Sequence, residues 1–373
     1  MHILYNIAGF YRPAGMERVL ADKANWLVEQ GHRVTILTTE QKGRPNAFPL
    51  DPRGKMMDLA IGYEDNNGGT LWDKIVHYPS KQRRHKKVLK AILMEKKPDI
   101  TVSMFCNEVN LIPKMHDGSK KVLEVHFSRF KRIQYGRKGL WAIIDRIRSR
   151  QDEKLVRKYD RFVVLTKEDK AYWRDLQNIR VIYNPVRFRP EKPATLDTKT
   201  VIAVGRYAHQ KALDRLVQAW SLIPNKEGWK LRLVGDGEQR PDLEKLINEL
   251  GLASSVILGR SETDMASVYS NASILALSSR YEGLPMALLE AQAFGVPAVS
   301  FSCKCGPNEI ITPGEDGILV DEGNIPALAE GLSALMKDDS LRKEMGLNAF
   351  RNAERWRPET IMPQWIQLFS EIL

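Results

Sequence analysis

Three observations predict an α/β protein of two Rossmann-like, doubly wound domains. Short apolar runs alternate with helical stretches through both halves of the chain. Several runs end in a glycine turn that opens directly into a helix, as at Gly205, Gly235 and Gly283. A proline-bearing stretch at about 183–198 interrupts this rhythm once, after which it restarts. Such alternation builds parallel sheets, and their ligands bind beyond the carboxyl ends of the strands. Two sheets of this kind facing each other would share a cleft.

The elements follow in order. Residues 3–8 read as a strand. Met16, Leu20, Ala24, Leu27 and Val28 repeat at helical spacing, and Gly31 stops that helix. Residues 34–37 form the next strand. Residues 40–70 are rich in Gly, Pro and Asn and carry one short strand around 57–61. Residues 71–97 are largely helical and Pro98 stops them. Strands at 99–104, 121–125 and 161–165 complete a first domain of residues 1–183. The second domain, 198–357, has strands at 200–204, 229–234, 255–258, 273–277 and 297–301, and is helical from 325 onward. In the last segment, 358–373, Ile361, Trp365, Leu368 and Phe369 stand at helical spacing. It is expected to pack back on the first domain.

Composition narrows the class. The 373 residues are 43% hydrophobic, enough for two real cores. No run of 18 apolar residues occurs, so no membrane-spanning helix is expected. The first residues enter a strand without a basic leader, so a cytoplasmic protein is expected. Cys106, Cys303 and Cys305 form no disulfide framework, and Cys303-Lys304-Cys305 lacks the second ligand pair of a closed zinc site. The formal charge of +11 is uneven. Residues 1–185 carry 36 Lys and Arg against 21 Asp and Glu, the remainder 21 against 25. The basic half suits phosphates, nucleic acid or an anionic lipid surface. Its segment 129–150 mixes Arg129, Lys131, Arg132, Arg146, Arg148 and Arg150 with Phe130, Trp141, Ile144 and Ile147, the composition of a helix lying in a headgroup layer.

The chemistry concentrates in the second half. Residues 280–301 place Glu282 and Glu290 eight positions apart, with Gly283, Leu284 and Pro285 between them and Gly295-Val296-Pro297 after. The pattern is strand, glycine turn, helix over 285–294, strand. It puts Glu290 about two turns beyond Glu282, roughly on the same face. Glu290 is flanked by Ala287, Leu288, Leu289, Ala291 and Ala293, so it is buried and needs partners. Upstream, Gly205, Arg206 and Lys211 bracket a strand-to-helix turn where a diphosphate would meet two cations and a helix N-terminus. Gly235 and Arg260 mark two further strand-end turns.

The whole 280–301 pattern resembles the signature of the retaining glycosyltransferases of family 4. Gly205-Arg206 with Lys211 resembles that family's diphosphate site, although the family usually has glycine where this chain has Ala212. The loop 305–311 resembles the family's Gly-Pro loop. Pro13-Ala14-Gly15-Met16-Glu17-Arg18 resembles its Gly-Gly-x-Glu-Arg loop, with Ala14 at the first glycine. His126 is the position that matches a histidine near the donor sugar. The resemblance implies the GT-B arrangement and transfer of a sugar from a nucleotide diphosphate with retained configuration. It implies Glu282 and His126 as catalytic residues. Gly15, Gly205, Arg206, Lys211, Gly235, Arg260, Gly283, Leu284, Pro285 and Glu290 would bind the donor, and no metal or other cofactor is expected. The expected partners are a nucleotide sugar and an oligosaccharide acceptor, lipid-linked at the inner face of the membrane, and no nucleic acid. A nucleotide-sugar epimerase of the same fold and a non-enzymatic basic nucleic-acid-binding protein are the alternatives. Label transfer to a glycan and the salt dependence of binding separate them.

Overall fold

A computed structural model of the chain describes residues 1–66, 71–131, 139–174 and 176–373. It divides into two compact units. The first comprises Met1–Leu165, Lys170–Pro185 and Ile361–Leu373, and the second Thr166–Asp169 and Val186–Thr360. Each is built on one parallel sheet.

In the first unit the strands are β1 (His2–Ile7), β2 (Arg33–Thr38), β3 (Lys55–Asp58), β4 (Ile100–Ser103), β5 (Lys120–Glu124), β6 (Arg161–Val164) and β7 (Ile179–Val181). Their order is β3-β2-β1-β4-β5-β6-β7. The helices between them are α1 (Gly15–Glu29), α2 (Leu71–Lys96) and α3 (Leu140–Val156), and α4 (Lys167–Tyr172) belongs to the first unit only from Lys170 onward. The period-2 alternation of β1 sorts its side chains into two layers. Ile3, Tyr5 and Ile7 pack with Leu20 and Leu27 of α1 and with Trp365 and Phe369 near the C-terminus. Leu4 belongs to the opposite layer with Leu89, Leu93, Val156 and Trp173. The short strand expected around 57–61 ends at Asp58, because Ala60 turns left-handed at φ 48 and breaks the extended run.

The second unit has the order β10-β9-β8-β11-β12-β13. Its strands are β8 (Thr200–Val204), β9 (Lys230–Val234), β10 (Val256–Leu258), β11 (Ile274–Leu277), β12 (Ala298–Phe301) and β13 (Gly317–Val320). The helices are α5 (Leu213–Leu222), α6 (Arg240–Glu249), α7 (Met265–Ser270), α8 (Met286–Ala293), α9 (Pro307–Ile310), α10 (Ile325–Lys337) and α11 (Asp339–Asn352), with α12 (Pro358–Ser370) leading out of the unit. Strands β8 and β11 are neighbours, although two β-strands and three helices separate them in sequence. Strand order therefore reverses between them, which opens a crevice at their carboxyl ends. Helix α8 begins at Met286, so Glu290 is its fifth residue, little more than one turn in. Glu282 lies before the helix, and the shared helical face expected for the two carboxylates does not exist. Among the described residues no helix is long and apolar enough to cross a membrane.

Two backbone positions fix the strand-end turns. Gly235 has φ +149, and a Cβ there would sit 2.0 Å from the Gly205 carbonyl oxygen, so the β8 and β9 turns touch through backbone alone. Ala212 caps α5 in the left-handed region, φ 47 and ψ 44, and is fully buried. This is the position where the resembling family carries glycine. An L-residue held there costs about 1–2 kcal/mol. Part of that is offset because glycine loses more chain entropy on folding. We expect Ala212→Gly to stabilise the second unit by about 0.5–1 kcal/mol. Gly235→Ala should destabilise it severely. Thermal unfolding of both variants checks this, and a fall for the first or wild-type behaviour of the second contradicts the turn geometry.

Candidate active site

The crevice between β8 and β11 brings together Lys211 and Glu282. The turn after β8 delivers Arg206, exposed, and Lys211, partly exposed. The turn after β11 delivers Glu282, which is 5% exposed. Lys211 Nζ lies 2.7 Å from Glu282 Oε1, and Ser279 Oγ donates to the same oxygen at 2.5 Å. Gln210 Nε2 donates to the Tyr281 carbonyl at 3.0 Å and reaches Glu282 Oε2 at 3.5 Å. Backbone ties hold the two turns together. The Arg280 amide donates to the Gln210 carbonyl at 2.9 Å and Ser278 Oγ to the Lys211 carbonyl at 3.0 Å. Glu282 is thus a clamped carboxylate beside a cation, with its position set from three sides.

Gly283, Leu284 and Pro285 carry the chain from Glu282 into α8. Gly306, at φ +111, packs against them, and a Cβ on it would lie 2.3 Å from Pro285 Cδ. Glu290 is 7% exposed and accepts a hydrogen bond from Tyr269 Oη at 2.7 Å. The Tyr269 ring stacks on Phe294, at 5.7 Å between centroids and 21° between planes. Gly235 donates its amide to the Arg260 carbonyl at 3.2 Å, and the Arg260 side chain is exposed.

Two candidates belong to the first unit. Gly15 opens α1 behind an extended Ala14, with no side-chain cap on the helix. His126 follows β5, and its Nε2 stands 2.9 Å from Glu124 Oε1, with the ring hydrogen angled off the oxygen. Sequence reading passed over the partner of Glu124. Lys23 of α1 is fully buried and places Nζ at 2.7 and 2.6 Å from the two Glu124 oxygens. Its ammonium sits 3.4 Å above the Trp365 ring. The signal was present in the chain, since Lys23 stands on the apolar face of α1 beside Leu20, Ala24 and Leu27. Burial alone would raise the Glu124 carboxyl. Lys23 and His126 outweigh it and hold it at about 2, below the 4.5 of a free glutamate.

The basic stretch divides. Arg132 to Lys138 fall outside the described residues. Arg129, expected on a headgroup-facing surface, is turned inward. Its guanidinium packs 4.4 Å over Trp173, pairs with Glu153 at 3.2 Å and bonds Ser149. Desolvation of a cation is tolerated there because a carboxylate and an aromatic face replace water. The Trp141 side chain lies outside the described ones; among the described side chains of α3 the exposed apolar ones are Ile143 and Ile147, one turn apart, with Arg146, Arg148 and Arg150 exposed among them.

Comparison with known proteins decides the family. The chain matches the profile of glycosyl transferases group 1 over residues 187–352 and that of glycosyltransferase family 4 over residues 13–190. The chain belongs to the family 4 type of glycosyltransferases. One relative is the amylovoran biosynthesis glycosyltransferase AmsD of Erwinia amylovora, 35% identical over 221 residues that cover 57% of this chain and 62% of the other. The match thus spans less than two thirds of that protein. A Campylobacter jejuni α-1,4-N-acetyl-D-galactosaminyltransferase, named for an undecaprenol-diphosphate-linked acceptor, is 27% identical over 96% of this chain and 95% of its own. A TarM mutant of S. aureus, solved with fondaparinux, α-GlcNAc-glycerol and UDP, superposes with a TM-score of 0.80 at 17% identity, covering 99% of both chains. The fold of this glycosyltransferase-family chain is therefore GT-B.

The sealed Lys23–Glu124 pair gives the first unit an acid dependence. Glu124 titrates lower in the folded state than free, so its contribution is complete above pH 4.5 and is lost as pH falls toward 2. Chemical unfolding across pH 2–6 should show this loss, and a Lys23→Met/Glu124→Leu double variant should lack that share of it. Equal acid dependence of the two proteins contradicts the pairing.

Proposed function

We propose that this chain is a retaining glycosyltransferase. It moves a hexose or N-acetylhexosamine from a UDP-linked donor to a lipid-linked glycan acceptor during assembly of a bacterial surface polysaccharide. The observation that carries the reading is the clamped Glu282 beside Lys211 and the exposed Arg206 at the switch point of the second sheet. Breaking a bond to a nucleotide diphosphate leaves negative charge on the departing phosphate. Arg206 and Lys211 are positioned to receive it, and each such preorganised group is worth about 3 kcal/mol in the transition state. Because cations are already supplied by side chains, the reading needs no metal ion. Glu282 is held by three neighbours, which suits a carboxylate that fixes donor hydroxyls and favours positive charge at the anomeric carbon. It suits a freely attacking nucleophile less. Glu290, oriented by Tyr269, supplies acceptor oxygens for the ribose hydroxyls. The retained configuration follows the family resemblance, with the departing phosphate oxygen taking the acceptor's proton. UDP in the TarM structure and the diphosphate-linked acceptor in the name of the Campylobacter relative support the choice of substrates.

A panel of nucleotide sugars, read by donor hydrolysis and by label transfer to glycan, tests the reaction class. Label interconverted on the nucleotide without transfer would make the protein an epimerase. Glu290→Gln should raise the Kd for UDP about tenfold, since an amide accepts less than a carboxylate. Glu282→Ala should lower kcat by at least about a hundredfold with a smaller change in UDP affinity. Wild-type kinetics in both variants would place the site elsewhere. Transfer should persist in excess chelator, and loss restored by manganese would overturn the metal-free reading.

A location at the inner face of the cytoplasmic membrane rests on Ile143 and Ile147 among exposed arginines. Each cation near an anionic surface adds about 1 kcal/mol. Co-sedimentation with anionic vesicles at low salt should exceed that with neutral vesicles. Arg146, Arg148 and Arg150 changed to Glu should abolish the difference. Equal and negligible binding to both lipids leaves a soluble acceptor.

A further inference from the structure

The sealed charges of the first unit are not explained by stability. Taking Lys23 and Glu124 out of water is unfavourable by several kcal/mol per ion, and apolar side chains of similar volume commonly fill such a site as well or better. Both side chains are nonetheless buried to within 1%. Trp365 covers the ammonium on one side and the Tyr5 ring stands 5.6 Å away on another. The pair also faces groups that an apolar core would not leave open. Tyr5 Oη, Trp365 Nε1 and His126 Nε2 are buried with no aligned hydrogen-bond partner. The carboxylate is used unequally. Oε2 serves Lys23 at 2.6 Å, whereas Oε1 lies 2.7 Å from Lys23 and 2.9 Å from His126 Nε2. Glu124 is the last residue of β5 and His126 stands two positions on, so a rigid strand end sets the spacing between them.

We infer that Glu124, locked in place by Lys23, is the positioning residue of His126. It fixes the rotamer of the ring and keeps the ring hydrogen on Nε2. Nδ1 is then the acceptor nitrogen, suited to a hydroxyl of the donor sugar. Lys23 holds both carboxylate oxygens, so Glu124 cannot swing away or take up the ring's proton. The angled Nε2 contact is the loose form common before substrate binds, and it straightens when a sugar hydroxyl engages the other nitrogen. The inference rests on the reading of His126 as a donor-side residue.

The experiment compares four full-length proteins: wild type, His126→Ala, the Lys23→Met/Glu124→Leu pair, and the triple variant. UDP binding is read by calorimetry, and kcat and KM are read with UDP-glucose and UDP-N-acetylglucosamine. The paired variant should fold, with a melting temperature near or above that of wild type at pH 7, and should bind UDP within about twofold. Its kcat should fall about a hundredfold, the scale of a misplaced catalytic group. The triple variant should be no slower than His126→Ala, because the three residues act as one unit. A paired variant with wild-type kcat, beside an impaired His126→Ala, would make the ion pair structural only and overturn the proposal. Wild-type kcat in His126→Ala would instead remove the donor-side reading of that histidine, and this role for Glu124 with it. Nitrogen NMR of the histidine rings gives a readout independent of turnover and of the paired variant's folding. Glu124→Gln should shift the His126 signal away from the Nε2-protonated form, and an unchanged ring spectrum refutes the assignment.

Discussion

The approach of Gly235 to the Gly205 carbonyl is the constraint from which the second unit's site follows. A 2.0 Å separation between a carbonyl oxygen and the place of a Cβ leaves no room for any side chain, so the ends of β8 and β9 are joined backbone to backbone. That contact sets where the chain leaves β8. It thereby sets where Arg206 projects and where Lys211 turns back toward β11. Ala212, held left-handed, completes the same turn and delivers α5 to the core. Glu282 meets Lys211 because two strands remote in sequence are neighbours in the sheet, and no local pattern could have brought them to 2.7 Å.

The two units handle buried charge differently. The Lys211–Glu282 pair keeps a fifth of the lysine side chain open, so an arriving anion can compete for the ammonium without a change of fold. The Lys23–Glu124 pair is sealed, and its strength depends on the absence of water. One is an exchangeable contact and the other a fixed one. The same two residue types produce both because burial, more than pairing distance, decides how readily an ion pair opens.

Much of this was readable in the chain, and the reasons for the rest are specific. Strands β1, β8, β11 and β12 are dense apolar runs with turns at their ends, and their positions followed from composition. Strands β7 and β13 are three and four residues long and carried no comparable signal. The eight positions from Glu282 to Glu290 read in the sequence as two helical turns, but the first four precede α8, and nothing in a Gly-Leu-Pro turn marks where hydrogen bonding begins. Tyr269 reaches Glu290 from a different helix, a tertiary contact invisible to spacing. Arg129 looked like a surface cation because its stacking partner, Trp173, and its ion partner, Glu153, lie far along the chain. Lys23 could have been found, because a lysine on the inner stripe of an amphipathic helix asks for a buried carboxylate.

The path of the chain between its units has its own consequence. The strand-bearing part of the first unit is finished by Pro185, yet its inner layer is closed only by Ile361–Leu373, made after the whole second unit. A ribosome therefore releases the first sheet long before the residues that shield Lys23 exist. Until Trp365 emerges, the ammonium stays hydrated and the pocket around Tyr5 lacks its cover. Dehydration of the pair, and with it the rigid placement of the β5 end, waits until the second unit has been made. An expression product lacking those thirteen residues would carry a complete set of candidate catalytic side chains on a first unit that had never dried its core.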